Sequence, residues 1–349
     1  MIYVGGVPFS TTDGSSSSQG SDILKALMEH PILLSASHLL KAIPKRKFSA
    51  FAESGSERST QSNCVYIFQR EYATVDPALV DLVGTDEATT CTGLVIRNRT
   101  SGMTSVAHLD SPEVVDIGLT QMLSLVVDHN SDSLLDVHII GAFEDASLHH
   151  PEYGSESESD AKQDGYSFPL CSKIIKTLGK RQENFHIHTL HVLGHNTRWD
   201  PEGNSFPIFS GFLVETSTGS VFPASFDRTS RCPDEIVRRI RVTVCFEDPH
   251  WTGRLLETYD TQTDRFVIAP CTWTIRQLQI AVTLQNLSDP EILLTCSTSP
   301  SAESPDFVDN ERRKWDYLFQ HPDWREAFPL RQPRVFERAS GSWRRRLVK

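Results

Sequence analysis

Two apolar segments that flank a short turn constrain the fold of this chain more than any other feature. CTGLVIR runs from Cys91 to Arg97, MTSVAHL runs from Met103 to Leu109, and the turn-rich NRTSG lies between them. Both segments have strand length and contain β-branched residues, whereas Asn, Ser and Gly favour a turn. The pattern predicts an antiparallel hairpin, and a hairpin is stable only as part of a larger packed sheet.

The other periodic segments of the chain predict both strands and helices. Strands are predicted at 64–69, 134–143, 183–193, 241–247, 255–259 and 265–270, with a further hairpin in 206–227 that turns at Thr218-Gly219. Helices are predicted at 21–30, 31–43, 112–128, 167–178, 274–285 and 305–320. Because strands outnumber helices and come in hairpin-like series, the predicted fold class is α+β, a sheet packed with helices.

Length and composition predict a single elaborated domain over 1–349, with its core at about 60–310. The chain has 349 residues, of which 38% are hydrophobic, and this is enough for a large core. The acidic, serine-rich segment 147–165 predicts a mobile insertion, and the basic segment 334–349 predicts a frayed tail.

Charge and cysteine content exclude several classes of protein. The formal net charge of -11 disfavours a broad role in binding nucleic acid or an anionic membrane, and no apolar run reaches the ~18 residues of a membrane span. The seven cysteines form no CxxC pair, and no secretory signal is recognisable. We therefore expect reduced thiols and a cytoplasmic or nuclear location, and we take a monomer as the default.

The predicted hairpin brings a cysteine and a histidine together. If the turn is centred between Arg99 and Thr100, paired positions sum to 199, and Cys91 lies opposite His108. Directly opposed residues share a face of the sheet, with Cβ atoms ~4.5–5.5 Å apart. An imidazolium at that distance lowers the pKa of a thiol and produces the reactive thiolate. The pair predicts a nucleophile and its base, although both residue types also serve as packing residues in strands.

A third group is needed to orient the base of such a pair. Thr85 lies six residues before Cys91, and its hydroxyl or carbonyl can accept the imidazole N–H of His108. The backbone amides of residues 89–91 can form an oxyanion hole.

Five sequence motifs resemble one enzyme family. GTDEATTC (84–91) and SVAHLD (105–110) are similar to stretches of the protein N-terminal asparagine amidohydrolases. So are VFPASF (221–226), APCTWT (269–274) and STSPSAESPDFV (297–308), so the resemblance extends over most of the chain. It is weakest in the first sixty residues, the acidic insertion and the basic tail.

The resemblance implies an α-β-β sandwich of the cysteine-hydrolase type, as in chemoreceptor glutamine deamidases and cytotoxic-necrotizing-factor-like toxins. The chemoreceptor deamidases have a Thr six residues before the Cys and a His seventeen after it, which here correspond to Thr85, Cys91 and His108. Some members of the asparagine family have Ser at the first position, and Thr85 retains the hydroxyl.

The resemblance also implies an activity. The enzyme would deamidate an unblocked N-terminal Asn of a peptide or protein to Asp through a cysteine thioester, releasing ammonia and using no cofactor and no metal. The product would then enter an N-degron pathway of protein degradation, in which a downstream arginyl-transferase acts on the new acidic terminus.

A substrate with a free N-terminus carries an α-ammonium, whose natural partner is a carboxylate. Asp86, Glu87 and Asp110 flank the catalytic residues and are candidates for this role, with ordinary turn or surface acids as the alternative. Ser297 and Ser299 are candidate ligands of the carboxamide, or they cap a helix or stabilise a turn.

Two other functions remain open at this point. His186 and His188 fall on one face of a predicted strand and can ligate a metal, which would favour a metal-dependent amidohydrolase. The protein can also be a module that binds N-termini without processing them. Such a module would tolerate the loss of Cys91.

Overall fold

The computed structural model describes residues 1–10, 20–49, 63–127, 134–145, 165–248, 251–339 and 342–346. The predicted acidic insertion lies outside the described residues except for Gly165. The helices are α1 Gly20–Met28, α2 Pro31–Ala42, α3 Val115–Leu123, α4 Ser167–Lys180, α5 Glu235–Glu247, α6 Ile275–Gln285, α7 Asp289–Cys296, α8 Phe307–Gln320 and α9 Trp324–Ala327.

The strands are short, and in the described part of the chain they form two large sheets and one small hairpin. They are β1 Ile2–Val4, β2 Val7–Pro8, β3 Arg46–Phe48, β4 Cys64–Tyr66, β5 Glu71–Val75, β6 Leu82–Thr85, β7 Thr92–Asn98, β8 Thr104–Leu109, β9 Leu134–Gly141, β10 Asn184–His191, β11 Thr197–Trp199, β12 Ser205–Pro207, β13 Phe212–Glu215, β14 Ser220–Phe226, β15 Leu256–Asp260, β16 Arg265–Ile268, β17 Arg334–Ala339 and β18 Ser342–Arg345. The predicted α+β class is confirmed.

The first sheet has the order β18-β17-β16-β15-β5-β8-β7-β9-β10-β1-β2, and the second has the order β3-β14-β13-β6-β4. In the first sheet, β7 lies between β8 and β9 and is antiparallel to both. The hairpin predicted from the sequence is therefore near the middle of the larger sheet.

Side chains alternate across β7 and separate two hydrophobic cores. Leu94 and Ile96 belong to a core shared with α1, α3 and α4 on one face of the first sheet. Val95 belongs to a second core, which includes Val83 and Val214 of the second sheet. The first sheet therefore packs against α1 to α4 on one face, and on the other face it shares a core with the second sheet and with α5 to α8.

Local signals place several helix ends. Pro31 occupies the first turn of α2, where its missing N–H costs no hydrogen bond. Thr274 and Gln277 form a capping box at the start of α6, and Ser288 and Glu291 form another at the start of α7. Among the described residues, no helix combines the length and apolarity that a membrane span requires.

The prediction of a strand at 241–247 was wrong, because this segment completes α5. The β-branched run RVTVCFE favours a strand locally. However, Val237 and Ile240 continue its apolar pattern upstream at helical spacing, and both are buried in the second core. Tertiary packing thus outweighed the local propensity.

The basic tail also differs from the prediction, because its described residues are not frayed. β17 and β18 pair with one another and extend the first sheet beyond β16. Trp343 packs edge-on against Phe266, with ring centroids 4.6 Å apart. An aromatic anchor of this kind holds the tail on the sheet.

Candidate active site

Cys91 directly precedes β7 and is nearly buried at the wall of a cavity. Its carbonyl accepts a hydrogen bond from the N–H of Ala142 at 2.7 Å. Gly141 has a φ of 113°, and a Cβ there would lie 2.8 Å from the Cys91 carbonyl oxygen. Glycine is therefore needed at the end of β9 for the close approach that holds the cysteine in position.

The hairpin register differs from the predicted one by two positions. Thr92 pairs with Leu109 and Gly93 pairs with His108, so Cys91 is a diagonal rather than a direct neighbour of His108. The cause is the turn, where the Asn98 side chain accepts hydrogen bonds from two backbone amides and Gly102 adopts a φ of 75°.

A shift of two positions preserves the face of the sheet. Cys91 and His108 therefore both point towards the second sheet, and both line the same cavity. Diagonal neighbours lie ~7–8 Å apart at Cα, a distance that a long side chain such as histidine can bridge.

The second sheet supplies the residue that orients His108. Thr85 ends β6, and its Oγ1 lies 2.8 Å from His108 Nδ1. The same hydroxyl donates to the carbonyl of Asp86 at 3.4 Å, so it is free to accept the Nδ1–H of the imidazole. His108 Nε2 is buried and has no hydrogen-bond partner in the described residues. With the proton on Nδ1, the lone pair of Nε2 is available to act as a base.

The pKa shifts of Cys91 and His108 do not favour the expected ion pair. Burial, with the nearby charges of Asp110 and Glu303, raises the pKa of the Cys91 thiol well above its usual range. Burial lowers the pKa of His108 to about 4. Both shifts favour the uncharged form, which runs against the prediction of a thiolate near neutral pH. A neutral thiol paired with a neutral imidazole would transfer its proton as the sulfur attacks the substrate.

The cavity beside Cys91 has a volume of about 470 Å³. The polar residues that line it include Glu87, Thr89, Thr90, Ser297, Thr298 and Glu303. Apolar side chains from α5, α6 and α8 line much of the rest, and these helices also contribute polar side chains such as Arg239, Gln277 and Lys314.

Asp86 and Asp110, both predicted to bind substrate, are occupied by the protein itself. Asp86 accepts hydrogen bonds from Tyr66 Oη at 2.7 Å and Phe226 N at 2.7 Å, and it pairs with Arg231. Neither acid lines the cavity. Asp86 therefore supports the loop that precedes Cys91.

Asp110 forms an ion pair with Arg70 at 3.0 Å, and both side chains are 1% exposed. It also accepts a hydrogen bond from Gln69 Nε2 at 3.1 Å. This carboxylate is held in the sheet next to the hairpin and is not presented to the cavity.

Glu87 does line the cavity, but two arginines neutralise it. Arg239 binds its two oxygens at 2.9 and 3.0 Å, and Arg231 contacts it at 2.7 Å. Burial raises the pKa of this carboxyl, and the charges of Arg239 and Arg231 outweigh that effect and lower it. An ammonium would have to compete with both guanidinium groups.

The predicted serines form a loop that is tied to the residues before Cys91. Ser299 Oγ donates to Thr89 Oγ1 at 2.8 Å, while Thr298 and Thr90 share a hydrogen bond of 2.9 Å. Ser297 lines the cavity, whereas the hydroxyl of Ser299 is used in this internal contact. The loop is therefore one wall of the site.

Sequence reasoning missed Glu303. Its carboxylate lines the cavity, and Ser297 Oγ donates to its Oε1 at 2.5 Å. The signal was present in STSPSAESPDFV, where this glutamate follows the serines by a few residues. It was overlooked because only acids adjacent to the cysteine and the histidine were considered.

The predicted metal site at His186 and His188 has a third possible ligand in Asp136. The ligand atoms of the three side chains lie within 4.8 Å of one another. The Arg99 guanidinium lies among them, 2.8 Å from His186 Nδ1, 3.0 Å from His188 Nε2 and 2.6 Å from Asp136 Oδ1. None of these residues lines the cavity of Cys91. The cluster therefore has no position from which to act on a substrate held there.

Comparison with known proteins identifies the family. The family model for "Protein N-terminal asparagine amidohydrolase" matches residues 54–345. The chain belongs to this family of amidohydrolases. A relative of that name from Arabidopsis thaliana is 59% identical over 350 residues, which cover 99% of this chain and all of the relative. Relatives of the same name from Mus musculus and Homo sapiens are 31% and 29% identical over 263 residues, about three quarters of each chain.

Membership of an amidohydrolase family confirms the resemblance noted in the sequence and makes this chain an enzyme. The alternative of a module that only binds N-termini loses its basis. Thr85, Cys91, His108 and the loop of Ser297 to Glu303 all fall within the range of 54–345 that the family model covers.

Proposed function

We propose that this amidohydrolase converts an unblocked N-terminal Asn of peptides and proteins to Asp through a thioester on Cys91. The observation that carries the proposal is the state of His108, whose Nδ1 is held by Thr85 while its buried Nε2 has no partner. A base prepared in this way, in the cavity that Cys91 also lines, suits amide hydrolysis by covalent catalysis.

In the first half of the reaction, His108 Nε2 takes the thiol proton as the Cys91 sulfur attacks the carboxamide carbon of the substrate. The carbonyl oxygen becomes an oxyanion, which the backbone N–H groups of Thr90 and Cys91 stabilise. The carbon–nitrogen bond then breaks. The imidazolium of His108 gives its proton to the departing nitrogen, and ammonia leaves.

In the second half, water replaces ammonia in the cavity. His108 accepts a proton from the water, whose oxygen attacks the thioester carbon. The carbon–sulfur bond breaks, the thiol of Cys91 is restored, and the substrate now begins with Asp. Both halves use residues of this chain alone.

The layer order supports kinship with the cysteine hydrolases that share an α-β-β sandwich. In this protein α1 to α4 cover one face of the first sheet, and on the other face His108 reaches Thr85 of the second sheet. We further propose that the product feeds an N-degron pathway in the cytoplasm or nucleus, where an arginyl-transferase would act on the new acidic terminus.

A panel of four peptides tests the proposed activity. The peptides begin with Asn, Gln or acetyl-Asn, or carry Asn only at an internal position. We expect a mass increase of about one dalton, with ammonia release, for the first peptide alone, because an amide becomes an acid. Equal conversion of the acetylated or internal Asn would contradict the requirement for a free terminus.

The contribution of Thr85 can be measured separately. Thr85→Val removes the hydroxyl but keeps the shape, so His108 Nδ1 loses a buried acceptor worth ~1–2 kcal/mol. We expect kcat to fall roughly 5–30-fold, with KM nearly unchanged. Thr85→Ser, which keeps the hydroxyl, should stay within a few-fold of the natural enzyme. Equal losses in both variants would show that packing rather than hydrogen bonding matters at this position.

A further inference from the structure

One carboxylate in the catalytic cavity has no cationic partner. Glu87, Asp86 and Asp110 are each paired with an arginine, as described above. Glu303 forms no ion pair with a lysine, arginine or histidine within the described residues, and its Oε1 accepts a hydrogen bond from Ser297. The second oxygen, Oε2, is therefore available to a ligand in the cavity.

The surroundings of Glu303 make an isolated negative charge costly. Burial, reinforced by the charges of Glu87 and Glu311, raises the pKa of this carboxyl to about 7. A positive ligand next to Glu303 would remove this cost, because an opposite charge favours the ionised form. A cation that enters the cavity would therefore be stabilised next to Glu303, which lines it.

The position of Glu303 also fits the geometry of the substrate. It lines both the catalytic cavity and a second cavity of about 400 Å³, and the two cavities share Glu87 and Thr89. Its charge reaches Cys91, whose thiol pKa it raises. In an N-terminal Asn, only Cα and Cβ separate the α-nitrogen from the carbon that the sulfur attacks. The ammonium must therefore lie in the same cavity as the sulfur, and Glu303 lines that cavity.

We propose that Glu303 binds the α-ammonium of the substrate and thereby restricts the enzyme to unblocked N-termini. Ser297 orients the carboxylate through Oε1, and the ammonium contacts Oε2. Acetylated termini are rejected because a neutral amide leaves Glu303 buried without a cation. Internal asparagines are rejected for the same reason. This inference rests on the proposed deamidation of N-terminal Asn.

The test compares two substrates that differ only in the α-amino group. One is a peptide that begins with Asn, and the other begins with a 3-carbamoylpropanoyl group, which keeps the carboxamide and lacks the amine. With Glu303→Gln, we expect kcat/KM for the Asn peptide to fall about 10–100-fold, since an ionic hydrogen bond is lost. The value for the des-amino peptide should stay within about 2-fold, so most of the preference for a free amine disappears.

Two controls separate this role from others. Glu337→Gln removes a carboxylate of β17 that pairs with Arg265 outside the cavity, and it should preserve the preference for the amine. If Glu303→Gln unfolds, as judged by its thermal midpoint, Glu303→Asp takes its place. The shortened carboxylate should then reduce the preference several-fold.

The inference is overturned if Glu303→Gln slows both peptides equally, which would indicate a role in positioning Ser297 or Cys91. It is also overturned if Glu303→Gln leaves kcat/KM for both peptides unchanged. Where Glu303→Asp is used instead, an undiminished preference for the free amine would overturn it. Failure of the proposed function would appear differently, as the absence of ammonia release from the Asn peptide by the natural enzyme.

Discussion

Replacement of Cys91 by alanine should reduce ammonia release from an Asn-initiated peptide by at least about 10⁴-fold. The sulfur provides the covalent step, and among the described residues the cavity offers no second thiol next to His108. Cys296 also lines the cavity, but the charged groups that act on its thiol are Glu311 and Lys314 of α8. Residual turnover would then depend on water attacking the amide directly.

Cys171→Ala is the matched control. This thiol is also buried and close to the hairpin, since its Sγ lies 3.6 Å from Thr92 Oγ1. It belongs, however, to the core on the helical face of the sheet, away from the cavity. Both variants should be assayed at equal concentrations of folded protein, checked by circular dichroism. Undiminished ammonia release by Cys91→Ala would rule out the thioester mechanism.

Replacement of Arg238 by methionine should lower the free energy of unfolding by about 3–5 kcal/mol. Arg238 and Glu71 are both fully buried, and the guanidinium contacts the carboxylate through two hydrogen bonds of 2.6 and 3.2 Å. It also donates to the carbonyl of Tyr66 at 2.6 Å. Methionine fills part of the volume of the arginine side chain but leaves the buried charge of Glu71 without a cation. This unpaired charge is the reason for the lower free energy of unfolding.

Chemical denaturation can measure this effect against two references. Arg325→Met breaks a pair with Asp323 whose side chains are 60% and 48% exposed, and it should cost less than about 1 kcal/mol. The double variant Arg238→Met with Glu71→Gln removes both charges and should recover part of the lost stability. Equal midpoints for Arg238→Met and Arg325→Met would contradict the assigned importance of the buried pair.

The same buried pair connects stability to the active site. Glu71 also accepts a hydrogen bond from the N–H of Phe68 at 2.9 Å, and the Phe68 side chain lines the catalytic cavity. Arg238 lies over the Phe68 ring, 4.6 Å from its centroid. The interaction that holds α5 against the first sheet thus also supports one wall of the cavity.

The hairpin shows why part of the site was predictable from sequence. Strand and turn signals are local, and they identified both strands and the loop between them. The register was wrong by two positions because the Asn98 side chain and Gly102 produced a longer turn than the one assumed. Cys91 and His108 nevertheless remained on one face, since side-chain direction repeats every two residues.

The error in α5 had a wider consequence. A strand at 241–247 would have given no reason to expect arginines near the cysteine. α5, which this segment completes, and the loop before it bring Arg239 to Glu87 and Arg231 to Asp86. The roles of Asp86 and Glu87 could not be assigned without these distant partners.

Short-range patterns along the chain were thus sufficient to define the α+β class, the hairpin, and the shared face of cysteine and histidine. Periodicity and turn chemistry depend on neighbouring residues, so they can be read without the fold. The sequence could not show which acid faces the cavity without a partner. Asp86 and Glu87 are paired with arginines that lie 145 and 152 residues further along the chain. Contacts at such separations form only when helix and sheets pack, because electrostatic pairing depends on distance in space rather than in sequence.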